Sequence, residues 1–410
     1  MSKIKKIINY KFKEFNSFNQ NEVKAANAVV KTGILSEYLA GELEGGYYVK
    51  KFENKLKSFF GTKHAITVNS WTSGLIVAVG ALDLEPGDEI IVSPWTMSAT
   101  ATAILHWNCI PIFVDIEKDT FCLDPKKIEK KITPKTKAII TVDIFGQSSD
   151  IHKIKKIARK YSLKVICDSA QAPGSKIGKN FTGTLADIGG YSLNYHKHIH
   201  TGEGGILVTN NDYYAKKMKL LRNHGETHNN LNNKLLINNL GYNFRLGEIE
   251  SAIGIEQLKK LKKITKGKIN VANQLSKKLS KLPGIKTPII RRGCSHVYYV
   301  YPIIIDKKIN RKELFNILNK LGVQGLSEGY QLLHKLPMYK KKVAIGRKGF
   351  PWSISKRKIN YNQIDLNISE ELHNRTFLSF EICLFDLKKK DIENISICFK
   401  KAWKILKIKY

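Results

Sequence analysis

Acidic side chains are scarce in this chain of 410 residues. There are 35 Asp and Glu against 69 Lys and Arg, a formal net charge of +34. Arginine is scarcer still, with nine residues against 60 lysines. Base readout in nucleic acids favours the arginine fork, and dedicated binders concentrate their charge. Here the lysines are spread along the whole length, in short runs such as Lys340 to Lys342 and Lys388 to Lys390. The charge therefore reads as a solvated basic surface that also draws in anionic substrates, and no specific nucleic-acid partner is expected. No apolar run approaches the ~18 residues of a spanning helix, so no membrane partner is expected. The opening MSKIKKIINYKFKEF has lysines throughout and no apolar core. No signal peptide is expected there, and the cytoplasm is the expected compartment. Cys109, Cys122, Cys167, Cys294, Cys383 and Cys398 form no CxxC pair. Reduced thiols are expected, without a cysteine-ligated metal.

What is present is ordinary for a globular protein: 42% hydrophobic and 25% charged residues. The length suggests two domains, possibly three. Seven β-rich runs lie at 64–70, 88–94, 110–116, 137–145, 164–170, 188–194 and 204–210. Helical stretches at 72–84, 97–106 and 150–161 separate several of them. Near-continuous apolar strands alternating with helices specify an α/β fold with a mostly parallel sheet buried on both faces. After residue 245 the pattern turns helical, with one helix in RLGEIESAIGIEQLKKLKKI and a second running to about Leu282. Pro283-Gly284 ends it. A smaller α+β unit follows, with VYYVYPIII (297–305) as a strand and helices near 311–321 and 389–406. The expected division is 1–260 for the N-terminal segment and large domain, and 261–410 for the small C-terminal domain.

Ligands in such folds sit beyond the carboxyl ends of the strands. Three places there carry chemistry. The run Asn69-Ser70-Trp71-Thr72-Ser73-Gly74 opens a helix after the first strand. Its hydroxyls and free amides suit an anion, or a plain N-cap. Asp168 ends an apolar strand in Cys167-Asp168-Ser169-Ala170-Gln171, where it can be a metal ligand, a cap or the partner of a ligand cation. Lys197 lies in YSLNYHKHIHTGEGG (191–205) between His196 and His198. A partly desolvated lysine has a lowered pKa and can form a Schiff base with a carbonyl. The His196, His198, His200 alternation would make a metal face on a strand, but the segment reads as loop, and no metal is expected. A phosphate cradle, an acid and a lysine in this order are what pyridoxal phosphate requires.

The sequence resembles the sugar aminotransferases of the DegT/DnrJ/StrS type, which have the fold of aspartate aminotransferase. The resemblance runs through most of the chain. It rests on GTKHAITVNSWTSGL, PGDEIIVSPWTMSATATAIL, FVDIEKDTFCLDPKKIE, DSAQAPGSKIGK, TGEGG, RNHG (222–225), GYNFRLGEIESAIG (241–254) and GYQLLHKLPMY (329–339). It implies the fold type I architecture: a large, mostly parallel seven-stranded sheet and a smaller C-terminal α+β domain. It implies pyridoxal 5'-phosphate (or its pyridoxamine form) as cofactor. The implied reaction moves an amino group from an amino acid, glutamate first, to a keto sugar, nucleotide-linked, in amino-sugar and surface-polysaccharide biosynthesis.

Carried over, Lys197 is the cofactor lysine and proton shuttle, and Asp168 faces the pyridine nitrogen. Gln171 lies against the cofactor. Thr72, Ser73 and Ser192 hold the phosphate. Asn243 reaches the phosphate of the neighbouring subunit, so a homodimer with shared sites is implied. Gly45 and Gly46 border the sugar, with His196, His198, Tyr330 and His334 as further substrate-side residues. Two places depart from the family pattern. Met97 stands where an aromatic residue often stacks on the pyridine, which leaves Met97 or Trp95 for that role. Trp71 replaces the usual glycine of the phosphate turn. Two alternatives stand beside the aminotransferase. A keto-sugar dehydratase of the same fold carries histidine at the lysine place, and a basic nucleic-acid-binding or regulatory protein would use the scaffold without cofactor.

Overall fold

The computed structural model describes residues 4–39, 43–226 and 239–408. Seven apolar runs become the strands of the main sheet. They are β1 (His64–Val68), β2 (Glu89–Val92), β3 (Ile110–Phe113), β4 (Thr136–Val142), β5 (Lys164–Asp168), β8 (Ile188–Ser192) and β9 (Gly205–Thr209). The pair β6 (Lys176–Ile177) and β7 (Asn180–Phe181) forms a small hairpin between β5 and β8. The sheet order is β1-β9-β8-β5-β4-β2-β3. Neighbours from β8 through β3 pair parallel, and β9 runs antiparallel to β1 and β8. Every residue of β2, β3, β8 and β9 is buried, which is why these strands are almost wholly apolar.

The chain begins with α1 (Gln20–Val30) and α2 (Tyr47–Phe60). The crossovers then use α3 (Trp71–Gly80), α4 (Ser98–His106), α5 (Ile151–Lys160) and α6 (Asp212–Arg222). Next comes α7 (Glu248–Leu279), one unbroken helix of 32 residues where the sequence suggests two. It continues because its buried face changes partner without changing phase. Ile255, Leu258 and Leu261 pack in the core that holds Phe52, Tyr191 and Ile206. Ala272, Leu275 and Leu279 pack with the C-terminal sheet.

That second sheet is antiparallel, in the order β10-β11-β13-β12. Its strands are β10 (Ile285–Lys286), β11 (Tyr301–Ile305), β12 (Leu326–Glu328) and β13 (Phe377–Phe380), with helices α8 (Arg311–Leu321), α9 (Pro337–Lys341), α10 (Asn367–Glu371) and α11 (Lys389–Ile405) around them. The cores do not follow a single cut in the chain. Ile8 and Phe12 join the C-terminal core, where Phe12 sits edge-on to Phe380 and Phe385. Leu333, Tyr339, Trp352 and Tyr361 join the core of the main sheet. Each fully buried apolar side chain of this kind is worth about 1.5–3 kcal/mol.

β11 starts four residues later than the apolar run that begins at Val297. Tyr298 adopts a left-handed φ of 52° and stacks on His296 at 3.9 Å, which turns the chain before the strand. Among the described residues no helix is long and apolar enough to cross a membrane.

Candidate active site

Lys197 sits in the turn after β8, with its amide bonded to the Asn194 carbonyl at 2.9 Å. The residue is only 8% exposed. Its Nζ lies 4.2 Å from the centre of the Tyr299 ring. Among the described residues it has no hydrogen bond or ion pair. Burial lowers its pKa to about 8, against the opposing pull of the Asp168 charge. An amine near neutrality without an acceptor is chemically available. The late start of β11 matters here, because the turn at Tyr298 is what brings Tyr299 under the amine.

Asp168 closes β5, paired with Val142 on one side and Gly190 on the other. Its Oδ1 accepts the Trp71 indole N–H at 2.7 Å and the Ala170 amide at 3.2 Å. Its Oδ2 accepts the Thr100 hydroxyl at 2.8 Å. Burial raises its pKa, while the Thr100 and Trp71 bonds and the Lys197 charge pull it back. Gln171 is buried nearby, and its Oε1 takes the Phe145 amide at 2.7 Å. Tyr330 lies against Gln171 and within reach of the Asp168 charge, and it stacks on Trp95 at 5.4 Å.

The N-terminus of α3 comes to the same edge of the sheet. Ser70 is its N-cap and takes the Ser73 amide at 3.0 Å. The Ser73 hydroxyl is occupied, bonded to Asn69 Oδ1 at 2.7 Å. Thr72 is exposed, and its hydroxyl has no partner among the described residues. The first amides of a helix point outward and favour an anion. Ser192, the last residue of β8, is buried beside this end and accepts the Asn194 amide at 3.2 Å. Asn243 has an exposed side chain, while its carbonyl takes the Asn69 amide group at 3.3 Å.

The remaining sequence-derived residues are placed less uniformly. Trp95 is wholly buried among Phe121, Tyr330 and Phe377, whereas Met97 is 64% exposed at the start of α4. His196 is half-buried, with burial lowering its pKa to about 4. It lines a cavity of about 210 Å³ together with Tyr195, Tyr299, Glu381 and Cys383. His198 is fully buried and bonded to the Val297 carbonyl at 2.8 Å, so its ring braces the turn under Tyr299. The structure does not bring His334 to this cluster: its ring is buried and bonded to Glu370 at 3.0 Å. Gly45 and Gly46 lead into α2. A Cβ on Gly46 would stand 2.7 Å from Glu248 Oε1, and Glu248 caps α2 by accepting the Tyr48 amide at 2.7 Å. No group of three or more His, Cys, Asp or Glu able to hold a metal occurs among the described residues.

Three residues of the cluster escape sequence reasoning as contacts of the site. Thr100 and Trp71 lie 68 and 97 residues from Asp168. Tyr299 reads as an interior strand residue. The only signal was Trp71 itself, a large ring where the family pattern has glycine.

Known proteins were then compared with this geometry. The profile of the DegT/DnrJ/EryC1/StrS aminotransferase family matches residues 20–376. GDP-perosamine synthase from Caulobacter vibrioides is 33% identical over 297 residues, covering 72% of this chain and 79% of that protein. The spore coat polysaccharide biosynthesis protein SpsC of Bacillus subtilis is 32% identical over 322 residues, covering 76% and 83%. The structure of NtdA from Bacillus subtilis with bound cofactor PMP matches with a TM-score of 0.80 at 28% identity, covering 97% of this chain and 86% of that one. The profile spans nearly the whole described fold, so the chain belongs to the DegT/DnrJ/EryC1/StrS aminotransferase family and is a pyridoxal-phosphate-dependent aminotransferase.

Proposed function

We propose that this aminotransferase takes its amino group from an amino acid, glutamate first, and gives it to a nucleotide-linked keto sugar. The product would be an amino sugar for surface polysaccharide. The names of the relatives support the substrate class, since one is a GDP-perosamine synthase and another a spore coat polysaccharide protein. One observation carries the assignment of the site: the buried Lys197 amine has no acceptor among the described residues and faces the charge of Asp168.

The residues fit pyridoxal phosphate. A carbonyl needs a near-neutral amine, and Lys197 has a pKa lowered to about 8. A ring nitrogen needs a buried acid, and Asp168 is 4% exposed at the strand end. A phosphate needs a helix N-terminus with free hydroxyls, and α3 offers Thr72 with Ser192 close by. When bound, the cofactor supplies an electron sink that carries the amino group between the two substrates.

Lys197 would hold the cofactor aldehyde, and its Nζ, once free and neutral, would take the proton from the substrate α-carbon, which a charged ammonium could not do. Asp168, held by the Trp71 and Thr100 donors, would face the ring nitrogen and favour its protonated form. Tyr299 shields the amine from water on one side. Lysine at this place speaks against the dehydratase, and the neighbouring His198 is locked to Val297 rather than free to replace it. Asn243, exposed beside Asn69, is the residue a second copy would receive at its phosphate, so a homodimer completes the site.

The test is reduction of the cofactor-bound protein with borohydride, followed by peptide mapping. A covalent adduct on Lys197 is expected, and an adduct on another lysine overturns the assignment. Glutamate with nucleotide-linked keto sugars should then give amino sugar. Elimination of water without amine transfer would overturn the substrate reading.

A further inference from the structure

We propose that Trp71 is a positioning residue for Asp168, forming with Thr100 a two-donor clamp that fixes the plane of the carboxylate and keeps it ionised toward the cofactor ring. The inference rests on the reading of Asp168 given above. Trp71 is the first residue of α3, yet its ring turns inward and is only 6% exposed. A slot has been opened for it. A Cβ on Gly190 of β8 would stand 2.2 Å from the ring carbon Cζ3, and one on Gly74 would stand 2.7 Å from Cε3. One on Gly205 of β9 would stand 2.9 Å from the Trp71 Cα. Gly190 of β8 and Gly74 of the helix therefore make room for the bulky ring, while Gly205 lets β9 approach the backbone that carries it.

The ring so seated delivers its N–H to Asp168 Oδ1 at 2.7 Å, while Thr100 from α4 reaches Oδ2 at 2.8 Å. With the Ala170 amide on Oδ1, three of the roughly four acceptor positions of a carboxylate are filled by protein donors. One position on Oδ2 is left. Bonds to both oxygens from two different helices stop rotation of the carboxyl group, so that position has a set direction. An indole N–H is a donor only. It favours the charged acid, and it cannot adapt to a protonated Oδ1 by accepting. Trp71 also joins two parts of the site, since its backbone belongs to the helix end proposed for the phosphate.

Trp71→Phe keeps the ring in its slot and removes the donor. Thr100→Val removes the other donor on a different helix. Both are measured as cofactor-bound protein by pH titration of the visible band, by the dissociation constant for pyridoxal phosphate and by thermal melting. A carboxylate with fewer donors is a stronger base and draws the proton from the ring nitrogen. The ring then loses positive charge, and the proton at the Lys197 linkage is held more tightly. The titration midpoint is expected to move up by about one pH unit in each variant, with about tenfold weaker cofactor binding.

Midpoint and affinity like wild type in a folded Trp71→Phe protein would leave Trp71 as filler and overturn the proposal. If that variant fails to fold, Thr100→Val decides: an upward shift supports the clamp and an unmoved midpoint overturns it. A wild-type protein that shows no visible band overturns the reading of the site and this inference together, a result distinct from a normal band with unmoved variants.

Discussion

Two buried lysines in different regions differ in how the protein treats the amine. Lys197, in the turn after β8, and Lys268, in the second half of α7, are 8% and 5% exposed. Burial lowers the pKa of both. Lys268, however, donates to the carbonyls of Ile382, Cys383 and Phe385 at 3.1, 3.1 and 2.8 Å, and lies over the Phe15 ring at 4.0 Å. Its ammonium ties the turn after β13 to the long helix and to the N-terminal segment. Lys197 has one aromatic face and no acceptor among the described residues. Desolvation is thus common to a lysine that ties elements together and to the lysine proposed to hold the cofactor. What separates them is whether the protein has satisfied the charge it buried.

The sharpest way to break this contrast is to remove each amine. Lys197→Met is expected to lower kcat on the order of 10⁴-fold without loss of stability. Lys268→Met should do the reverse, destabilising by about 3 kcal/mol because three carbonyls lose a charged donor, with turnover of the folded fraction nearly kept. Denaturant melts beside steady-state kinetics check both. Loss of turnover in Lys268→Met at normal stability would undo the comparison.

Next in size, Asp168→Asn should fold and bind cofactor but turn over about 10³-fold more slowly, since an amide cannot hold a ring nitrogen protonated. Single-turnover measurements with glutamate read this.

The electrostatic part of the contrast is tested by pH. The folded pKa of Lys197 lies below its ordinary value, at about 8 rather than 10.5. The unfolded chain therefore binds the proton more tightly. The cost to stability is full below pH 8, falls between 8 and 10.5, and is gone above. Cofactor-free Lys197→Met should be more stable than wild type by up to roughly 3 kcal/mol at pH 7, with the gap closing by pH 10.5. A constant gap would mean that the amine is not desolvated as described.

The smallest expected effect applies the same rule to hydroxyls. Thr72 is exposed and without a partner among the described residues, whereas Ser73 is bonded to Asn69. Thr72→Ala should weaken cofactor binding about tenfold at unchanged stability. Ser73→Ala should instead cost about 1 kcal/mol of stability. Cofactor titration and melting separate the two.

Much of this was readable in the chain. All seven strands of the main sheet lie where apolar runs mark them, because strands buried on both faces cannot alternate. Lys197 and Asp168 were legible because each sits in a short local pattern at a strand end. Tyr299 was hidden because the run from Val297 looks like strand to residue 305, while the left-handed turn at Tyr298 depends on its contact with His296. The single α7 was hidden for a related reason, since its continuity comes from two separate cores along one face.

The sequence by itself determined the α/β order of the chain, the strand ends that carry the lysine and the acid, and the family to which they point. Periodicity and local spacing suffice for that. Only the tertiary structure decided which buried groups are satisfied and which are left free. That property belongs to partners brought from distant parts of the chain: three carbonyls around Lys268, one ring beneath Lys197, and an indole and a hydroxyl on Asp168. A side chain's reactivity is set by how its charge is solvated, and in a dry interior the solvent is the rest of the fold.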